Sequence, residues 1–276
     1  MQIIAKRQHV VDELIEERCV RLRRNHVLWG LLRQVLYRAL GYESARAMAD
    51  QIAPLNGFQA FDAVAQILNL RLNIEGLHHV PKRGRLVVIA DHPTGLADGV
   101  AAFDALKARR PDLTFLANAD ALRVVPNGED LIIPVEWVPE KRSRKTARAT
   151  LMGIKAAMKD ERCIVMFPAG KLAGLTIKGL KDKPWASSAA ALARKYNAPI
   201  APLHISARNS VLYYLFCMIS GELRDITLFH ELLNKAGNTF DLTFGPLVKA
   251  ADLPKNAERA SIMIRQIVTQ QLAITE

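Results

Sequence analysis

Val10, Val11, Leu14 and Ile15 recur at the three- and four-residue spacing of one helical face, and Arg18, Arg21, Arg23 and Arg24 charge the end of the same segment. This pattern predicts an amphipathic helix over residues 10–25. A second stripe of Leu28, Leu31, Leu32, Val35, Leu36 and Leu40 predicts a helix over 27–40, with Gly41 as its C-terminal cap. Two more helices are expected over 44–53 and 58–70, so residues 1–70 read as an N-terminal helical region. The texture changes at Leu70. RLNIEGL reads as a strand, and Leu86-Val-Val-Ile-Ala90 is a run without a polar residue, as a strand buried on both faces would be.

Further strands are expected at 114–118, 131–138, 163–168, 199–205 and 238–248, and helices at 99–110, ending near Asp160, at 186–197 and over 255–273. A lysine-rich loop follows residue 170, and Val211–Ile219 is a wholly apolar segment. Strands and helices alternate through most of 70–210, which predicts an α/β fold with a mostly parallel or mixed central sheet flanked by helices. No internal repeat and no low-complexity segment interrupts it, and neither G-x-G-x-x-G nor a Walker A motif is present.

Composition narrows the classes. The formal charge of +11 and a pI near 9.8 favour an acidic partner: nucleic acid, anionic lipid or an acidic protein. Cys19, Cys163 and Cys217 form no zinc or disulfide framework, which points to a reducing compartment. The N-terminus is too charged for a signal-peptide core. The longest apolar run, 211–219, falls short of the roughly 20 residues of a membrane span, so the chain is expected not to cross a bilayer, although it can lie on one.

Chemistry concentrates on DHPTGLADG. His92 follows the buried strand and opens a glycine-containing turn before a helix, where ligands of α/β sheets bind. Asp98 stands six positions on, close enough through a tight turn to orient the imidazole as a general base. The same two residues can instead cap the turn and the helix. Phe167, Pro168, Gly170 and Lys171 form a strand-exit turn whose amides and lysine suit an anionic or developing oxyanion group, or simply a solvated turn. Arg208 and Asn209 sit past another strand and can hold a headgroup or brace the loop. His78, His79, His204 and His230 have no partner spacing and read as surface or packing histidines. The basic stretches at 141–145 and at Lys171, Lys178, Lys181 and Lys183, with Trp185 nearby, suit a membrane interface or an acidic partner, and neither resembles a nucleic-acid motif.

DHPTGLADG resembles the Asn-His-Pro-x-Gly-x-x-Asp-Gly motif of the phospholipid/glycerol acyltransferase, or hemolysin-like, branch of the lysophospholipid acyltransferase superfamily. MFPAGKLAG (166–174) is similar to that superfamily's Phe-Pro-Glu-Gly block, and PIAPLHISARNS (199–210) to its Val-Pro-Val segment with the following Gly-Arg-Asn-Ser. The resemblance implies an acyltransferase domain over 71–276 with a glycerolipid acyltransferase-like fold. It implies direct O-acyl transfer from acyl carrier protein or coenzyme A to a lyso-lipid hydroxyl, without cofactor, metal or nucleic acid. His92 and Asp98 would be catalytic, and Gly95, Asn118, Arg123, Phe167, Pro168, Gly170, Lys171, Arg208 and Asn209 would line the substrate site.

The branch's likeness to ornithine-lipid synthases offers a lyso-ornithine-type lipid as acceptor beside a lysophospholipid. A cytoplasmic protein, peripheral on the inner face of an anionic membrane, is the expected setting. Two residues depart from the pattern. Asp91 replaces Asn and is expected to raise the pKa of His92. Ala169 replaces Glu, which argues against glycerol-3-phosphate as acceptor. These departures would also suit a non-catalytic lipid-binding protein, and water in place of the acceptor would make a lipid hydrolase.

Overall fold

Leu86, Val88 and Ala90 face one apolar layer while Val87 and Ile89 face another, and all five are fully buried. A strand that is apolar on both faces must lie between two covering layers, and the rest of the fold supplies them. The computed structural model describes residues 8–136, 139–170, 172–176 and 179–274. Four helices come first: α1 (Val10–Arg18), α2 (His26–Ala39), α3 (Tyr42–Ile52) and α4 (Gly57–Leu68). The alternating region comprises β1 (Arg71–Glu75), β2 (Leu86–Ala90), α5 (Leu96–Leu106), β3 (Leu113–Asn118), α6 (Ala121–Val124), β4 (Ile132–Val135), α7 (Arg144–Lys159) and β5 (Cys163–Met166). After it come β6 (Gly174–Thr176), β7 (Gly179–Lys181), α8 (Ser188–Lys195), β8 (Ile200–Ser206), α9 (Val211–Ile219), α10 (Gly221–Ile226), α11 (Leu228–Leu233), β9 (Thr239–Phe244) and α12 (Ala257–Gln266).

The main sheet has seven strands in the order β1-β9-β8-β2-β5-β3-β4, with β2 in the middle. The five from β8 to β4 run parallel, β9 is antiparallel to β8, and β1 is parallel to β9. The sheet is therefore mixed. One face packs against α1 to α5 and α11, the other against α7, α8 and α12. The N-terminal helices share one continuous apolar cluster with the sheet.

Two local expectations are corrected. The helix expected over 10–25 ends at Arg18. The backbone N–H groups of Arg21 and Leu22, which would continue it, donate instead to Glu222 at 2.8 and 2.9 Å. A carboxylate two hundred residues away outcompetes the local helix. The lysine-rich loop after residue 170 contains an antiparallel ribbon, β6–β7, whose three-residue strands are too short to show alternation in sequence.

Candidate active site

Because β2, β5, β3, β4 and β8 are parallel, the loops that leave them share one edge of the sheet. His92, Phe167 and Arg208 follow strands at that edge, and Asn118 ends β3 there. The turn after β2 brings His92 and Asp98 together. Gly95 makes this possible with φ +95°, a conformation that a side chain would strain, and a Cβ there would come within 3.1 Å of Leu172.

Asp98 is fully buried in the first turn of α5. One carboxylate oxygen accepts the backbone N–H groups of Thr94 (2.9 Å) and Gly95 (2.8 Å), and the other accepts the Thr94 hydroxyl. The oxygen on the backbone N–H groups is also 2.9 Å from Nδ1 of His92, although off the line of a straight hydrogen bond. Both readings of Asp98 are therefore realised at once: it caps the turn and it faces the imidazole. With Nδ1 turned to a carboxylate, Nε2 is the nitrogen left for chemistry.

The ring stacks on Phe167, centroids 4.5 Å apart, and keeps partial exposure. Its backbone is held on both sides. The His92 carbonyl accepts from Ala173 N–H at 3.0 Å, and its N–H donates to Asp182 at 3.4 Å. Sequence reasoning missed Asp182. Its second oxygen accepts the Trp185 indole N–H at 2.8 Å, and its backbone carbonyl accepts from Arg265. Burial pushes its carboxyl above the usual range, against the pull of those donors. The only available signal was a single acidic residue among lysines, beside a tryptophan. Trp185 itself is buried against the apolar layer that holds Ala169, so its expected place at a membrane interface is corrected.

Asp91 finds its closest partner on another strand. Neighbouring side chains on extended backbone point to opposite sides. Asp91 faces Nδ1 of His204 at 2.6 Å and accepts Ile205 N–H at 2.8 Å, so its closest partner is on β8 and not the His92 ring. His204, read as an unpartnered surface or packing residue, is the other half of this pair. Burial raises the Asp91 carboxyl to about 6 despite the histidine.

The remaining candidates are distributed along the edge. Pro168 is buried and its carbonyl accepts Ala186 N–H at 3.0 Å. Gly170 has φ +59°, and its N–H closes the turn onto Phe167 O at 3.1 Å, so that amide is already engaged and is not an oxyanion donor as it stands. Lys171 lies outside the described residues. Asn118 accepts Asp120 N–H at 2.9 Å, and Arg123 pairs with Glu13 and Glu17 of α1, both at 2.9 Å, and with Asp120 at 3.4 Å. The Arg123 charge is thus matched by the N-terminal helix. Arg208 is exposed, Asn209 is buried, and the loop is braced by Ser210 donating to Glu231, which pairs with buried Lys235 at 2.9 Å.

A family model described as Acyltransferase matches residues 71–206, from the first residue of β1 to the last of β8, the span that carries His92, Asp98 and the Phe167 turn. The chain belongs to this acyltransferase family. It is an acyltransferase enzyme. A lyso-glycine lipid O-acyltransferase of Phocaeicola vulgatus is 26% identical to it over 196 residues, 68% of each chain. One of the same name from Bacteroides thetaiotaomicron is 24% identical over 197 residues, 68% of this chain and 70% of that one. The fold of this acyltransferase is shared by the crystal structure of a 1-acyl-sn-glycerophosphate acyltransferase of Thermotoga maritima. The TM-score is 0.51 at 14% identity, covering 96% of this chain and 97% of that one.

The Asp91–His204 pair gives a stability test. The carboxyl ordinarily titrates near 3.8 and here near 6, so the native state favours its protonated form. Its contribution to stability is present in acid and is lost as pH rises from about 4 through about 6. Asp91→Asn removes that cost. Its melting temperature should gain on the wild type across this window and keep the gain at pH 8. A wild type at least as stable as the variant at pH 8 would contradict the assignment.

Proposed function

We propose that this acyltransferase moves a fatty acyl group from a carrier-protein or coenzyme A thioester to the hydroxyl of a lyso-lipid, with His92 as general base oriented by Asp98. The observation that carries this reading is the buried Asp98 carboxylate 2.9 Å from Nδ1 of a stacked, partly exposed imidazole. Nε2 takes the hydroxyl proton as the oxygen attacks the thioester carbonyl. Collapse of the tetrahedral adduct forms the ester C–O bond, breaks the C–S bond and releases the thiol, which recovers the proton. Oxyanion stabilisation falls to donors of the 167–171 turn other than the engaged Gly170 amide, with Lys171 as the cationic candidate. No acyl-enzyme is required.

His92→Ala should lower transfer by about 10²–10⁴-fold, the usual scale of general-base loss, without altering the melt. Asp98→Asn should lower activity as well, because an amide facing Nδ1 reverses the tautomer. It should also lower the melting temperature, because the amide keeps one acceptor oxygen for the donors of Thr94 and Gly95 and loses the charge that strengthens those bonds. Full activity of His92→Ala with a purified thioester donor would rule the mechanism out.

For the acceptor, an amino-acid-headed lyso-lipid is favoured over glycerol-3-phosphate. Two relatives are named for lyso-glycine lipid, and position 169 carries no carboxylate: Ala169 lies in an apolar layer with Met166 and Trp185. In an acceptor panel, N-(3-hydroxyacyl)glycine and N-(3-hydroxyacyl)ornithine should be acylated faster than lysophosphatidate. Glycerol-3-phosphate should be the poorest, and its efficient acylation would overturn the assignment.

A lipid acceptor must be reached from a membrane surface, since no helix among the described residues is long and apolar enough to cross one. On α2, Val27, Leu31 and Val35 recur every fourth residue and are exposed. On α9, Val211 (85% exposed), Leu215 and Met218 (78%) form a second stripe. Glu222 at the start of α10 binds the backbone just before α2, which ties the two helices to one side of the molecule. Exposed Arg21, Arg24 and Arg38 flank the α2 stripe and would attract anionic headgroups. The wild type should therefore sediment with anionic vesicles, less with neutral ones, and be partly released by salt. Leu31→Glu with Met218→Glu should abolish sedimentation without changing the melt. Equal binding by this variant would remove the two helices from the interface.

A further inference from the structure

The face of the molecule opposite α2 and α9 carries a second exposed surface. Helix α7 has five basic residues, Arg144, Lys145, Arg148, Lys155 and Lys159, and no acidic one. At 100° per residue these five, with Leu151 and Met152, fall within about one third of the helix circumference. Ile154, Ala157 and Met158 occupy the other side and pack on the sheet. All seven outward residues are exposed, and among the described residues none of the five cations has a carboxylate within ion-pair distance. Arg144, Lys145, Arg148, Ala149 and Met152 line a depression of about 440 Å³.

The position of α7 is as informative as its composition. Thr150 donates to Pro134 O at 2.6 Å, near the end of β4, while the Met158 carbonyl meets Arg85, just before β2 begins. The N-terminal half of α7 therefore lies at the edge of the sheet that carries His92. Strand β4 is three places from β2 in the sheet, roughly 15 Å at the usual strand spacing of about 4.8 Å.

We infer that the outward face of α7 docks an acidic carrier protein that delivers the acyl thioester to His92. The inference rests on the thioester-transfer reading above. Unpaired cations steer an acidic protein to the face and fix its orientation. Leu151 and Met152 give it an apolar centre, and methionine adapts to the surface that it meets. A phosphate-bearing small donor would use the cations alone and leave both apolar residues without a role. A bilayer met through α2 and α9 lies on the far side of the sheet, which leaves α7 facing the aqueous phase, where a soluble carrier arrives. The gap along the sheet edge is spanned by a flexible thioester arm.

The test uses the full chain with Arg144→Glu, Arg148→Glu and Lys155→Glu combined, and separately with Leu151→Ala and Met152→Ala combined. Each is assayed with palmitoyl-acyl carrier protein, palmitoyl-coenzyme A and palmitoyl-pantetheine. Both variants should raise KM for the carrier-bound donor by about ten-fold or more, with kcat unchanged and palmitoyl-pantetheine kinetics unaltered. Binding of unacylated carrier protein, followed by fluorescence anisotropy, should weaken in parallel and should weaken with salt for the wild type. Unchanged carrier kinetics and binding in both variants would overturn the proposal. So would a loss confined to palmitoyl-coenzyme A, or a loss of anionic-vesicle binding in place of carrier binding. A wild type inactive with every thioester, yet binding carrier through α7, would uphold the docking face and defeat the transfer reading instead.

Discussion

The Asp98 carboxylate is the constraint on which the site depends. It is fully buried, and a buried carboxylate is tolerated only where donors replace water. Thr94 supplies two and Gly95 one, and the N-terminus of α5 adds its partial positive charge. Hydrogen bonds to a charged group contribute about 1.5–3 kcal/mol each, so this cluster fixes the turn after β2 firmly. The same carboxylate lies 2.9 Å from Nδ1 of His92, whose ring is also stacked on Phe167. The contacts that cap the turn also bring the carboxylate to the imidazole, and the turn that does so needs Gly95 with its positive φ.

Much of this was legible in sequence because it is local. LVVIA declared a central strand, the alternation of elements declared an α/β sheet, and His92 and Asp98 are close along the chain. What was not legible depends on partners far away. The break at Cys19 needs Glu222, the role of Asp91 needs His204 on a neighbouring strand, and the N–H of His92 needs Asp182, 90 residues on. Arg123 has an unspecific sequence context, and only the packing of α1 shows where its charge is matched. Trp185 drew attention for its lysine neighbours, yet indole burial with its N–H on Asp182 prevailed. In all but the last of these cases a long-range pairing decided a residue whose near neighbours were uninformative.

The two faces of the sheet divide the remaining tasks. Helices α2 and α9 carry apolar stripes on the side packed by the N-terminal helices, and α7 carries unpaired cations on the other. The parallel strands bring both faces to one edge, at which His92 stands between them. On the proposed reading, an acceptor met through α2 and α9 and a donor met through α7 would reach that edge from opposite faces. The basic excess of the chain is then a distributed property with local uses: some cations lock elements together, as Arg123 and Lys235 do, and others remain outward.

The central claim is that Asp98 holds His92 in the tautomer with hydrogen on Nδ1 and a bare Nε2. Long-range proton–nitrogen correlation spectra of the imidazole, recorded above the histidine titration on protein carrying ¹⁵N-labelled histidine, report this directly. His92 should show a protonated Nδ1 and an unprotonated Nε2, and Asp98→Asn should reverse or mix the two. A wild-type His92 with hydrogen on Nε2, unchanged by Asp98→Asn, would contradict the account.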